Sequence, residues 1–287
     1  MRFGVSGDLL PANMDDLTPA VAGRVQELGF SGVFTRFRAN DPFTTTAEQC
    51  GRCRQVLNDA GLRMYQATGY WQCLIHPEEA QRRQAVRTLQ QALRVAGWLG
   101  ARGIDTGPGS LNPRGPWFPH ADNWTERARD QLIRSLRECA AAAEDAGVFL
   151  SLEGHQLVTL DSAETTRQVL DAVDSPFVRS DFDPVNWLTL RTAYTSGPAV
   201  ERMLDTLGRH VVSAHAKDLV VEDRLTLHLT ERPAGQGWLD YSTFLARMEA
   251  LDPDYPVIVE GAPKADLPVV KAFLDGVAAA LGIVVRR

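Results

Sequence analysis

Short apolar or β-branched runs alternate with amphipathic stretches along the chain, and this alternation predicts strands separated by helices. The predicted strands are Arg2–Ser6, Gly32–Phe37, Arg63–Thr68, Gly103–Thr106, Val148–Glu153, Val178–Asp183, Val211–His215 and Val257–Glu260. Parallel strands need a crossover of a dozen or more residues, and the intervening stretches are long enough to supply it. We therefore expect a parallel sheet.

The stretches between the strands carry apolar residues at spacings of three and four, which is typical of helices with one buried face. Two such stripes are Val86, Leu89, Leu93 and Ala96, and Leu132, Leu136, Ala140 and Ala143. Several stretches stop at a glycine, namely Gly29, Gly61, Gly100 and Gly147. Glycine tolerates the left-handed conformation that closes a helix, so these positions predict helix ends.

Eight strand–helix units in 287 residues predict an α/β fold that closes as a (β/α)8 TIM barrel, a single domain over residues 1–287. The alternative is an open doubly wound sheet, which usually has a G-x-G-x-x-G turn after its first strand. Here that turn reads Gly4-Val5-Ser6-Gly7-Asp8, which favours the barrel.

Two long loops, 107–123 and 219–240, are expected on the face of the barrel where catalytic residues lie. The second loop contains alternating Leu225, Leu227 and Leu229, which predict a small hairpin.

Composition narrows the function classes. Hydrophobic residues make up 44% of the chain and charged residues 23%, which excludes disordered and fibrous proteins. The net charge of −6 argues against a general nucleic-acid binder. The N-terminus does not resemble a signal peptide, and the run Val277–Val285 is too short to span a bilayer. We expect a cytoplasmic protein that binds neither nucleic acid nor a membrane.

We expect the four cysteines to be free thiols, because disulfides are rare in cytoplasmic proteins. Cys50 and Cys53 have the spacing of a redox or zinc pair, but no second pair follows and they lie in a helical pattern. We interpret them as structural.

Four consecutive predicted strands end on an ionisable residue: Glu153, Asp183, His215 and Glu260. In a barrel, the C-terminal ends of the strands point into one shared pocket. Three converging carboxylates would repel one another, and a divalent cation removes that conflict. Three oxygen ligands and one nitrogen ligand suit Mn²⁺, Mg²⁺, Co²⁺ or Zn²⁺. Each residue could instead cap its strand or bond a neighbouring loop, but four in a row favour a metal site.

These residues stand in motifs that resemble the xylose-isomerase-like TIM barrels, the sugar phosphate isomerases/epimerases. The motifs are Leu152-Glu153-Gly154-His155, Asp183-Pro184-Val185-Asn186, His215-Ala216-Lys217-Asp218, Gly235-Gln236-Gly237-Trp238-Leu239-Asp240 and Glu260. The resemblance implies that Glu153, Asp183, His215 and Glu260 are metal ligands, and that Glu153 and Glu260 also transfer protons. We favour Mn²⁺ as the ion. The resemblance also implies a homodimer.

The abasic-site endonucleases share this barrel but bind three metals through additional histidines. Here Asn186 stands where they carry a histidine, and the ends of the second and third strands have none, which argues against a trinuclear site.

Further candidates for substrate binding are His155, Asn186, Lys217, Trp117 and Trp187. Trp71 also lies near a strand end, and for each tryptophan ordinary loop packing is an alternative. For His155 and Lys217 the alternatives are a structural hydrogen bond and a salt bridge. Arg36 and Arg38 could anchor an anion, but we interpret them as solvated surface residues. The Gly235–Gly237 loop follows the seventh strand, where barrels often bind phosphate. Arg232 is the only cation near this loop in the sequence, so an unphosphorylated substrate is favoured.

The resulting hypothesis is a divalent-metal-dependent isomerase or epimerase of a ketose or keto-sugar, acting through a metal-stabilised enediolate. One alternative keeps the site but eliminates a leaving group, as a lyase or dehydratase of a keto-sugar or sugar-derived glycoside. Another is a subunit that needs a partner chain for activity.

Overall fold

The computed structural model describes residues 1–286 and contains a closed barrel of parallel strands in the order β1-β10-β7-β6-β5-β4-β3-β2. The barrel strands are β1 (Arg2–Val5), β2 (Gly32–Thr35), β3 (Arg63–Thr68), β4 (Gly103–Thr106), β5 (Phe149–Glu153), β6 (Val178–Phe182), β7 (Val211–Ala216) and β10 (Pro256–Val259). The predicted strands and the barrel are confirmed, and the open sheet is excluded because β1 pairs with β10.

Helices cover the outside of the barrel. They are α1 (Pro19–Glu27), α2 (Ala47–Asp59), α3 (Glu79–Leu99), α4 (Glu126–Ala146), α5 (Ala163–Val173), α6 (Leu190–Ala193), α7 (Ser196–Leu207), α8 (Tyr241–Leu251) and α9 (Leu267–Ala280). Short 3-10 turns lie at Met14–Asp16, Ala121–Trp124, Val185–Trp187 and Gly208–His210. Gly100 and Gly147 close the two long helices at φ values of 70° and 64°, as the sequence predicts.

A two-stranded antiparallel hairpin, β8 (Asp218–Val221) with β9 (Leu229–Arg232), follows β7. The predicted hairpin is confirmed, but Leu225 and Leu227 lie in its connection and are exposed. The leucine alternation therefore does not mark buried strand positions. The hairpin places Glu231 of β9 beside the C-terminal end of β7, where Lys217 follows.

Alternation along the strands decides which side chains enter the barrel. The register between β2 and β3 shifts between Val33 and Phe34, so that one extra residue, Tyr65, lies in β3. The Tyr65 ring fills the space over two glycines, because a Cβ at Gly4 would lie 2.8 Å from Tyr65 Cδ2 and one at Gly32 would be equally crowded. A bulge at a barrel rim redirects the side chains that follow it.

The cysteines Cys50, Cys53, Cys73 and Cys139 are free thiols, as predicted. Burial raises the pKa of Cys50 to about 12 and that of Cys53 to about 11, so neither forms a thiolate at neutral pH. The structural interpretation of this pair is therefore favoured over a redox pair. Within residues 1–286, every helix falls short of the length and apolarity that a bilayer crossing requires.

Candidate metal centre and substrate cavity

The structure brings the four predicted ligands together at the C-terminal end of the barrel. Each of Glu153, Asp183, His215 and Glu260 offers one ligand atom, and these atoms all lie within 4.8 Å of one another. Their positions follow from the two-residue period of a strand, since β5, β6, β7 and β10 all end beside the same interior. This is the convergence that the strand-end residues predict.

His215 Nδ1 lies at the middle of the cluster. It is 3.1 Å from Glu260 Oε2, 3.6 Å from Glu153 Oε1 and 3.9 Å from Asp183 Oδ2. In barrel order, β7 and β6 stand between β10 and β5, so the two glutamates approach this point from different sides.

Two buried atoms of the cluster make no hydrogen bond within residues 1–286: His215 Nδ1 and Asp183 Oδ2. Lys217 Nζ lies 3.0 Å from Asp183 Oδ2 as an ion pair but does not meet hydrogen-bond geometry. Buried polar atoms are nearly always hydrogen-bonded, so these two atoms leave room for a further partner such as an ion or a water. One nitrogen and three carboxylates therefore fit a divalent cation.

The pKa values of the clustered residues also show an excess of negative charge at this place. Burial opposes ionisation of His215, yet Asp181 and Glu153 outweigh it and raise its pKa well above the usual value. Burial together with the charge of Glu153 raises the pKa of Asp183 to about 6, although Lys217 opposes this shift. Burial also opposes the ionisation of Glu153, but His215, Lys217 and Asn186 together lower its pKa to about 2.

A second polar layer lies below the ligands and holds the His215 ring. His215 Nε2 is 2.9 Å from Asp181 Oδ2 and 3.1 Å from Gln66 Oε1. Gln66 Nε2 donates to Asp181 Oδ2 at 2.6 Å, and Ser213 Oγ donates to Asp181 Oδ1 at 2.8 Å. The carboxylate thus accepts the Nε2 proton, which leaves Nδ1 facing the other ligands. Such a partner for a ligating histidine orients it and raises its basicity.

A cavity of about 410 Å³ opens above the ligands. The predicted residues that line it are Trp117, Glu153, His155, Asn186, Lys217 and Glu260. Trp187 does not line it. Its indole Nε1 donates to the Leu160 carbonyl at 3.0 Å and its ring packs against Phe182, so the structure gives it a packing role. These contacts favour the packing alternative for Trp187.

Asn186 and His155 each present a defined hydrogen-bonding group. Asn186 Nδ2 donates to Glu153 Oε1 at 2.7 Å and to the Gly154 carbonyl at 3.1 Å, which fixes the carboxylate. His155 Nδ1 accepts from the Leu157 backbone N–H at 3.2 Å. Burial, and then the charge of Lys217, lower the pKa of His155, so its neutral ring carries the proton on Nε2.

Lys217 is buried among three carboxylates. Its Nζ lies 3.0 Å from Asp183 Oδ2, 3.3 Å from Glu231 Oε2 and 3.6 Å from Glu260 Oε2. Burial disfavours its charge, but Asp183, Glu153 and Glu231 outweigh that effect and raise its pKa. Lys217 therefore stays cationic and can stabilise negative charge that develops on a substrate.

The cavity is also lined by Arg36, Trp71 and Glu231; sequence patterns favoured other roles for the first two and did not identify Glu231. Arg36 forms an ion pair with Glu260, so its interpretation as a solvated surface residue is wrong, whereas Arg38 is exposed as expected. The strand-end rule that found the four ligands also applies to Arg36, which directly follows β2. Glu231 gave no such signal because it lies in the hairpin.

The comparisons with known proteins agree with this fold. The family model described as "Xylose isomerase-like TIM barrel" matches residues 22–276. No curated protein sequence matches the chain.

Solved structures of similar proteins have low sequence identity. A xylose isomerase domain protein from Planctomyces limnophilus is 21% identical, with a TM-score of 0.73 over 98% of this chain and 97% of the other. A D-psicose 3-epimerase, solved in the presence of D-fructose, is 15% identical with a TM-score of 0.73, covering 98% and 100%. A probable 3-DHS dehydratase from Bacillus anthracis, involved in petrobactin synthesis, is 16% identical with a TM-score of 0.70, covering 96% and 98%.

Proposed function

The chain belongs to the xylose isomerase-like TIM barrel family, and on that premise we propose that it is a divalent-metal-dependent isomerase or epimerase of a ketose or keto-sugar. The single observation that carries the proposal is the cluster of Glu153, Asp183, His215 and Glu260 beneath the cavity. Similarity to a D-psicose 3-epimerase supports this class of reaction.

The four clustered residues would hold the cation. When bound, a divalent ion supplies Lewis-acid stabilisation of the negative charge that develops on substrate oxygens. We favour Mn²⁺, and Mg²⁺, Co²⁺ and Zn²⁺ fit the same donor set.

The protein's own groups then move the proton. One of the two glutamates removes the proton from the carbon next to the substrate carbonyl. Asn186 holds Glu153 in place for this step, because its Nδ2 donates to Glu153 Oε1. Return of a proton to the same carbon from the opposite face gives an epimer, and return to the adjacent carbon gives an aldose–ketose isomer. Glu153 and Glu260 come from strands on different sides of His215, which provides for both transfers. Lys217 and the Nε2–H of His155 line the cavity and would bind substrate oxygens.

The test is hydrogen exchange in D₂O. We would load the protein with Mn²⁺, incubate it with a panel of ketoses and keto-sugars, and follow each C–H signal by NMR. Loss of one C–H signal, with or without a new isomer, is the expected result and identifies the carbon attacked.

Glu153→Gln and Glu260→Gln keep the shape of the side chain but remove the base, and each should abolish turnover. Glu164→Gln, on the exposed surface of α5, is the matched control and should behave as wild type. Full activity in both site variants, with circular dichroism unchanged, would contradict the proposal.

A lyase or dehydratase of a keto-sugar or a sugar-derived glycoside is the second candidate. His155 favours it, because a cavity-lining imidazole with its proton on Nε2 can donate to a departing oxygen. Similarity to a probable 3-DHS dehydratase is consistent with this chemistry. An eliminated product in the same NMR panel, in place of an isomer, would decide for it.

A further inference from the structure

We propose that Arg36 is a positioning residue that holds one oxygen of Glu260, so that the two glutamates of the site are not equivalent. The inference deepens the proposed function and rests on it, because it concerns how the same site presents its ligands.

Arg36 is fixed on its aromatic side. Its guanidinium carbon lies 4.9 Å from the centre of the Phe34 ring and 5.3 Å from that of the Trp71 ring. Phe34 is fully buried and stacks on His215, with ring centres 5.8 Å apart and planes 16° from parallel. The guanidinium therefore rests on a ring that itself packs against a candidate ligand.

Trp71 is anchored by a hydrogen bond to a buried carboxylate. Its indole Nε1 donates to Asp105 Oδ2 at 3.1 Å, and Asp105 is fully buried. Tyr70 and Trp71 have φ values of 59° and 28°, in the region that non-glycine residues rarely adopt. Strained backbone of this kind clusters at functional sites, where the surrounding structure holds it. Here it turns the indole toward the cavity and the guanidinium.

The other side of Arg36 contacts Glu260. Its Nη2 forms an ion pair with Glu260 Oε1, while Oε2 faces His215 Nδ1 at 3.1 Å. An arginine side chain cannot lose its proton in a protein, so the cation beside Glu260 is permanent.

Glu153 is held differently, by the neutral amide of Asn186 at 2.7 Å. The two glutamates thus differ in the group that contacts one oxygen of each directly: a guanidinium for Glu260 and an amide for Glu153. Arg36 therefore leaves Glu260 one oxygen for a metal ion and sets its orientation toward a substrate.

Removal of the guanidinium should move two quantities in opposite directions. Glu260 would no longer share its charge with the guanidinium, so Mn²⁺ should bind more tightly, by at least about threefold. The released carboxylate would lose its orientation, and turnover should fall by about 10- to 100-fold, because misplacement by about 1 Å has that effect. Arg36 also lines the cavity, so KM can rise, but kcat should fall by a larger factor than KM rises, because the contact with Glu260 is the one that orients the base. A purely structural role would weaken both metal binding and turnover.

The experiment compares wild type with Arg36→Met, Arg36→Lys and the control Arg38→Met, which alters an exposed arginine two residues further on. Mn²⁺ affinity is measured by titration calorimetry, and kcat and KM on the sugar that the NMR panel identifies. Arg36→Lys keeps the charge but lacks the planar fork. It should bind Mn²⁺ within about twofold of wild type and lose about threefold or more in kcat.

Mn²⁺ binding by Arg36→Met that equals or falls below that of wild type would overturn the proposal, as would wild-type kcat in Arg36→Lys. If Arg36→Met fails to fold, the lysine variant decides. A wild-type protein that binds Mn²⁺ but transforms no sugar contradicts the proposed reaction and leaves the affinity comparison to decide on Arg36. A wild type that binds no Mn²⁺ overturns both.

Discussion

Asp181 lies below the candidate ligands, and its replacement tests whether the lower polar layer serves the metal site. Its Oδ2 accepts from Gln66 Nε2 at 2.6 Å and lies 2.9 Å from His215 Nε2, and its Oδ1 accepts from Ser213 Oγ at 2.8 Å. In Asp181→Asn, the amide oxygen can replace Oδ2 and the amide nitrogen can donate to Ser213 Oγ. The substitution therefore keeps the geometry and removes the charge.

The expected magnitude follows from that change. A hydrogen bond to a charged group contributes about 1.5–3 kcal/mol and a neutral one about 0.5–1.5 kcal/mol. The difference of about 1 to 1.5 kcal/mol corresponds to a roughly tenfold weaker Mn²⁺ affinity. Asp181→Leu removes every acceptor and should weaken Mn²⁺ binding by about 100-fold, the upper end of effects seen for groups behind metal-binding histidines.

Titration calorimetry with Mn²⁺ measures both variants. The chain offers a matched control in Asp171, whose Oδ1 lies 3.1 Å from His210 Nε2 on the outside of the barrel. Asp171→Asn removes the same kind of carboxylate–histidine contact and should leave Mn²⁺ affinity unchanged. Wild-type affinity in a folded Asp181→Asn variant would refute the reasoning, because the charge behind His215 would then contribute nothing.

Three further predictions concern packing, stability and protons. Trp187→Phe should lower the free energy of unfolding by about 1 kcal/mol, because the indole hydrogen bond is lost, and should leave KM unchanged. Trp117→Ala should raise KM, because Trp117 lines the cavity. Equal effects of the two variants on KM would contradict these placements. Arg82→Ala should cost about 2 kcal/mol in urea unfolding, because this arginine is 1% exposed and donates to two glutamates and Ser135. Its neighbour Arg83 is 64% exposed, and Arg83→Ala should cost less than about 0.5 kcal/mol; a similar loss in both variants would count against burial as the cause. Burial opposes the charge of His215, but Asp181 and Glu153 raise its pKa well above the usual value, and a protonated ring must lose its Nδ1 proton before it can bind a metal ion. Calorimetry in buffers of different ionisation enthalpy should therefore show proton release when Mn²⁺ binds, and no buffer dependence would refute this.

Local sequence patterns predict the strands, the helices and the barrel of this protein well, because each strand and each helix has its own hydrophobic pattern and its own end residues. Gly100 and Gly147 end their helices where glycine is needed, and the ligand positions follow from where each apolar run stops. Arg36 also stands at a strand end, but its ion pair with Glu260 and its contact with the Trp71 ring join parts of the chain that are far apart in sequence. Arg36 meets Glu260, which is more than 200 residues further along the chain, and no local pattern encodes that pairing.

Trp117 and Trp187 also show that sequence patterns do not distinguish residues whose roles depend on the path of a loop. Both are tryptophans in loops after strands, and the sequence treats them alike. A short turn at Val185–Trp187 folds the second indole inward against Phe182, while the first remains in the cavity wall. Only the path of the loop separates the tryptophan that lines the cavity from the one that packs in the core.

The lower polar layer supports the proposal that the upper cluster holds a cation. His215 lies among carboxylates, which raise its pKa and favour a proton on both ring nitrogens. Because Asp181 and Gln66 accept the Nε2 proton from below, the proton on Nδ1 is the one that a metal ion can replace. Without that layer, either nitrogen could face the ligands, and an imidazolium held by Glu153 and Glu260 would compete with the cation for the same oxygens. Burying the charge of Asp181 costs stability by itself. In return, Asp181 fixes which ring nitrogen of His215 faces the three carboxylates.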